Sequence, residues 1–173
     1  MNQQTNEKRL LTVSPSPHIR GKDTTASIMM DVLIALAPAS VWGIYVFGTR
    51  ALWMMLVCVL SCMLAEGITQ KIWHREVTTG DLSAAVTGLL LALNLPVAMP
   101  LWQAALGCVF AIVLVKQVFG GIGKNFMNPA LAGRAFLMLA FASNMTRFTP
   151  AYDRFWLSAA DAVASATPLA SLK

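Results

Sequence analysis

Charge is scarce in this chain: 12% of its 173 residues are Asp, Glu, Lys or Arg, whereas 57% are apolar. A soluble domain carries about a quarter of its residues as charged side chains. The polar side chains here are too few to coat a globule, and the expected solvent is lipid. Histidine is limited to His18 and His74, which leaves no parts for a Ser/His/Asp array or a histidine-based metal site within this chain. Cysteine is limited to Cys58, Cys62 and Cys108, an odd number inside apolar runs, which argues against a disulfide framework. Cys58 and Cys62 share a helix face at i, i+4, but two ligands do not make a metal site, so all three are read as buried packing thiols. Clustered basic residues are also lacking. The net charge of +5 comes from 13 Lys and Arg against 8 Asp and Glu, and the basic residues stand singly between apolar runs. That pattern excludes a nucleic-acid surface and fits membrane orientation instead.

What is present is a succession of apolar runs, with eight Phe and five Trp that disordered segments lack. Residues 1–27 form a polar, Pro-bearing tail without the apolar core and cleavage site of a signal peptide, so the first apolar run is expected to stay as an anchor. A membrane region follows over residues 28–143. Its spans are expected at Ile28–Phe47, Ala51–Thr69, Leu82–Leu95, Leu101–Phe119 and Ala130–Ser143. Lys8, Arg9, Arg20 and Lys22 lie in the tail, Lys71 and Arg75 in the second loop, and Lys116, Lys124 and Arg134 are assigned to the fourth. Against them stand Arg50 in the first loop and none in the third. The tail and even loops are therefore expected in the cytoplasm, and residues 144–173 outside it. The third and fifth spans are short. Each reads either as a half-helix pointing at a substrate or as a short helix shielded inside a bundle.

Three features bear on chemistry. Gly120, Gly121 and Gly123 in the loop before Asn128-Pro129 let a backbone approach a flat or phosphorylated ligand, or simply make a turn before a helix starting at Pro129. Asp31 and Glu66 are expected near the cytoplasmic ends of their spans, solvated by headgroups and water or partnered by a residue such as Arg134, with a cation path as the alternative. Thr167, in Ala164-Ser165-Ala166-Thr167, is a reachable hydroxyl with small neighbours, which reads as a turn or cap before Pro168 or as a site for a phosphoester.

The segment Asp161 to Leu169 resembles the flavin-attachment signature of ion-pumping redox complexes. With SPSPHI, GDLSAAVTGLLLALNLPV, VKQVFGGIGKNFMNPALAGRAFLMLAF, MTRF and ATPLASLK in the same order, the chain resembles the RnfD/NqrB family, which joins a membrane component of Rnf electron transport complexes to one of the sodium-pumping quinone reductase. Asp161, Ala166 and Thr167 match the signature, whereas Ala164-Ser165 stands where the family has Ser-Gly. The resemblance implies FMN joined through its phosphate to Thr167 by a flavin transferase, with Asp161, Ser165 and Ala166 as the attachment motif. It also admits a noncovalent riboflavin, and it makes Gly120 and Gly121 candidates for a second flavin site.

The implied fold is an all-α, multi-pass transmembrane protein of about five segments, two of them short, resembling the N-terminal half of an inverted-repeat membrane fold. The implied setting is a bacterial inner membrane, with the other Rnf subunits (RnfA, RnfB, RnfC, RnfE and RnfG) as partners beside the lipid bilayer. The implied activity couples ferredoxin:NAD electron transfer to Na+ or H+ export, with no catalysis by this chain alone. Two alternatives are half of a solute or ion transporter without flavin, and a nonfunctional truncated subunit.

Overall fold

The computed structural model describes residues 24–75 and 78–147; residues 1–23 of the tail and the attachment motif, including Asp161, Ser165, Ala166 and Thr167, lie outside the described residues. Those described are helical, with no strand among them. Helix α1 spans Thr25–Phe47, begun by Thr24, whose hydroxyl accepts from the Ser27 amide at 3.2 Å. Pro38 falls inside α1 without ending it. Gly48, at φ +74°, turns the chain into α2, Thr49–Ile72. Both helices are long and apolar enough to cross a membrane.

A 3-10 turn at Thr79–Asp81 leads to α3, Ser83–Leu93. Asn94 and Pro96 stop α3, as the sequence predicts. Helix α4, Leu101–Phe110, continues without a break into a π-helical stretch, Ala111–Gln117. Helix α5, Pro129–Ala140, starts where the Asn-Pro pair predicts: Asn128 caps the Ala130 amide at 2.9 Å, with Pro129 in the first turn. A four-residue helix α6, Ala142–Met145, closes the described chain. Helices thus occupy the positions of all five expected spans, and the third and fifth are short.

Helix α2 is the hub on which α1, α3, α4 and the π stretch pack. Its inward face carries Met54, Cys58 and Cys62, which meet Leu91 of α3, Cys108 of α4, Ile112 of the π stretch and Leu137 of α5 in one core. The three cysteines are free and fully buried, as the packing reading expects. Lipid offers no hydrophobic drive between helices, so close backbone approach has to hold them. Gly88 supplies it: a Cβ there would lie 2.7 Å from the Cys58 carbonyl oxygen. Outward, Trp42, Leu64 and Leu139 are exposed, and α1 has no buried residue at all.

Contacts at the helix ends fix the two faces of the bundle. Arg50 donates to the carbonyls of Met99 at 2.9 Å and Val97 at 3.4 Å, so the α1–α2 corner and the α3–α4 loop share one face. On the other face, Arg75 donates to the Gln117 carbonyl at 3.3 Å. Two basic residues assigned to a loop are not in one. Lys116 belongs to the π stretch and Arg134 to α5, where it donates to Asn94 Oδ1 at 3.1 Å. The apolar pattern simply continues past both of them, and neighbouring helices supply their partners.

Candidate functional site

A cleft of about 650 Å³ opens on the Arg75 face, lined among others by Thr25, Gln70, Arg75, Gly120 and Gly121. Its floor is made by Glu66 of α2 with Lys116 and Gln117 of the π stretch. The two glycines stand at φ +105° and +93°, a backbone conformation closed to most side chains, and they place bare main chain at the rim. Sequence reasoning singled out these glycines and Glu66, but not Gln117, and it counted Lys116 only as a loop charge.

Glu66 corrects the expectation of an acid at the interface. Helix α2 runs on to Ile72, so Glu66 is not in the last turn and is 1% exposed. Its partner is not Arg134 but Lys116, itself 3% exposed, at 2.6 Å. Asp31, by contrast, is exposed on α1.

The pair sits in a chain of hydrogen bonds. Lys116 Nζ also donates to Ser83 Oγ at 2.5 Å, and that hydroxyl donates to Asp81 Oδ1 at 2.6 Å. Gln117 Nε2 donates to Glu66 Oε1 at 2.8 Å. Beside them the Gln70 side chain clasps Thr78 through two bonds, at 2.8 and 3.0 Å, holding the α2–α3 loop against the cleft. Both donors to Glu66 converge on Oε1. Oε2 is buried with no partner. A carboxylate in a low-dielectric interior is strongly penalised unless it is paired and bonded, and Lys116 and Gln117 supply both on Oε1.

The π stretch explains how two polar side chains reach this floor. Wide turns are made by i→i−5 bonds, from Val118 to the Val113 carbonyl at 3.1 Å and from Gly121 to the Lys116 carbonyl at 2.9 Å. Such segments cluster at functional sites because they redirect side chains that a regular helix would face elsewhere. Here consecutive residues 116 and 117 both point to Glu66.

Lys116 also borders a second cleft, of about 360 Å³, lined by Ser83, Thr87, Asn125 and Asn128 among others. Among the described residues, Asn125 Oδ1 is the other buried side-chain polar atom without a hydrogen-bond partner. Among the described residues there is no group of three or more His, Cys, Asp or Glu arranged to hold a metal ion. Lys116 thus borders both clefts, one shared with Glu66 and the other with Asn125.

Residues 12–173 match the model of the NQR2, RnfD, RnfE family. The chain is 52% identical over 163 residues to the D component of the Na(+)-translocating ferredoxin:NAD(+) oxidoreductase complex of Acetobacterium woodii, covering 94% of this chain and 49% of that protein. It is 38% identical over 167 residues to the proton-translocating counterpart of Clostridium ljungdahlii, covering 96% of this chain and 49% of that one. It is 35% identical over 143 residues to the D component of the ion-translocating oxidoreductase complex of Escherichia fergusonii, covering 82% of this chain and 41% of that one. The chain spans about half the length of the curated relatives it matches.

Proposed function

Because the chain belongs to the NQR2, RnfD, RnfE family, we propose that it serves as a membrane subunit of an Rnf-type complex that couples ferredoxin:NAD electron transfer to export of Na+ or H+. The carrying observation is the similarity along 94% of the chain to a complex component named for that activity. The membrane-protein fold, with two long apolar helices and three shorter ones, agrees with it. Ferredoxin and NAD act on partner subunits, and this chain contributes an electron relay and part of the ion route.

In this reading Thr167 carries FMN, joined through the flavin phosphate by a transferase, with Asp161, Ser165 and Ala166 as its recognition residues. The flavin supplies electron transfer, and the chain supplies position. The rim of Gly120 and Gly121 over the amides of Gln70 and Gln117 fits a second, noncovalent flavin such as riboflavin in its donor chemistry. The Arg75 face is read as cytoplasmic in the bacterial inner membrane. Lys71, Arg75 and Lys124 lie on that face, while Arg50 on the other is tied to two carbonyls. An odd number of crossings then brings the Thr167 segment to the outer side.

The test is in-gel fluorescence of the denatured chain, taken from membranes that contain the flavin transferase. A fluorescent band lost in Thr167→Val supports the reading. A dark band from the same membranes overturns it and favours a flavin-free ion or solute pathway.

A further inference from the structure

We propose that the outward side of α5 is a docking surface for a transmembrane helix that carries an Asp or Glu, and that this carboxylate pairs with Arg134. The inference rests on the membrane fold and not on the flavin.

Arg134 is the one charged residue of α5, and its turn lies deep in the bundle. The adjacent Gly133 packs against the Gly107 carbonyl and the Leu91 side chain, which sets this turn beside the middle of the continuous helix Leu101–Gln117. Arg134 Nη1 donates to Asn94 Oδ1 at 3.1 Å, and Asn94 is itself held, its Nδ2 donating to the Leu90 carbonyl at 2.8 Å. The guanidinium is therefore fixed at the end of α3 instead of snorkelling to a membrane surface. It has five N–H donors, and a single neutral amide takes one of them. Among the described residues the ion pair present is Glu66 with Lys116, and none involves Arg134. Arginine within a membrane span is costly and is normally paired, so its counter-charge comes from outside these residues.

The shape of α5 shows from which side. Its buried residues, among them Gly133 and Leu137, face α3 and α4. On the opposite side an open groove of about 440 Å³ is lined by Leu131, Arg134, Ala135, Met138 and Leu139. Leu131 is 55% exposed and Leu139 88%. Leu131, Ala135 and Met138 follow the i, i+4, i+7 spacing of one helix face, and the small Ala135 between two long side chains leaves a hole for a knob from a facing helix. Charge complementarity then selects the occupant. Acyl chains would fill the groove but leave the guanidinium unpaired, and a headgroup phosphate belongs at the membrane surface. A second helix satisfies its own backbone at this depth, and its carboxylate can accept two parallel N–H bonds from the guanidinium. The chain spans about half the length of its relatives, so this helix has two possible sources, the same polypeptide or another subunit.

The experiment uses the full-length protein in native membranes, with photoreactive p-benzoylphenylalanine in place of Leu131 or Leu139. After irradiation and digestion, mass spectrometry reads what has been captured. The proposal expects a peptide from an apolar helix with an Asp or Glu within one turn of the attachment point. A band of unchanged mass assigns that helix to the same polypeptide, and a band enlarged by a second chain assigns it to another subunit. The pairing is read from the sign of a substitution. Arg134→Gln keeps a donor for Asn94 but removes the charge. Facing a carboxylate, it should lower the melting temperature of the purified complex in detergent, and changing the captured acid to its amide in the same protein should recover most of the loss.

Lipid adducts alone at both positions, or a captured helix without a nearby acid, overturn the proposal. So does an Arg134→Gln melting temperature equal to or above wild type, because removing an unpaired cation from lipid is favourable. A loss that the amide change does not recover, with phospholipid retained through detergent washing by wild type but not by Arg134→Gln, assigns the arginine to a headgroup phosphate and overturns it too. None of these readouts depends on the Thr167 band, so either proposal can fail alone.

Discussion

At the scale of single residues, the energetics of the Glu66–Lys116 pair give a prediction. Removing one partner of a buried ion pair strands a charge and costs about 3–5 kcal/mol, whereas removing both and refilling with apolar groups is often neutral. Lys116→Met should therefore lower thermal stability in detergent far more than the Glu66→Leu, Lys116→Met double variant does. Equal losses would mean that the pair interacts weakly. The pairing of the two residues was not legible in the sequence. Glu66 lies near the end of an apolar run and Lys116 just before a glycine loop, positions where charged side chains normally reach water, and nothing local shows that α2 continues to Ile72 or that a π stretch turns residue 116 inward. The available signal was the apolar residues on either side of Lys116, Val115 and Val118, with Phe119 beyond. Gly120 and Gly121 were legible because glycine announces its own backbone. The groups they cover come from elements 50 residues apart in the chain (116 − 66), and a single sequence carries no record of that pairing.

At the scale of elements, helix starts and stops were readable wherever a local residue enforces them. Asn128 and Pro129 open α5, and Asn94 and Pro96 end α3, because capping and proline act within a few residues. Replacing the cap, Asn128→Ala, should cost about 1 kcal/mol, seen as faster proteolysis or hydrogen exchange in the first turn of α5. The α2–α3 crossing depends on a contact that no local rule encodes. Gly88→Val puts methyl groups where the Cys58 carbonyl and Val59 backbone already sit, and overpacking of this kind costs about 1–3 kcal/mol. A lowered melting temperature in detergent checks this, and an unchanged one would show that α3 can slide on α2. The π stretch is the element the sequence hid, since its composition, AIVLVKQ, is that of an ordinary apolar helix.

At the scale of the molecule, the order of five helices followed from the apolar runs and from the prolines and glycines between them. What it did not reveal is which residues face lipid. Helix α1 buries nothing, while α2 buries a whole face, and both are predominantly apolar. The two faces of the bundle can be distinguished directly. The native thiols are buried, so Val97→Cys and Lys124→Cys should react with an impermeant maleimide from opposite sides of sealed vesicles. Reaction from the same side would refute the alternation of spans. The link from Arg50 to the Val97 and Met99 carbonyls joins residues 47 and 49 positions apart. During translation the first hairpin emerges long before its fastener exists, so the nascent α1–α2 pair must wait in the insertion machinery, unlatched, until the third span has been made. Ribosome-stalled chains ending shortly before Val97 should accordingly leave Arg50 open to protease or chemical probes, and chains long enough to expose Met99 should close it.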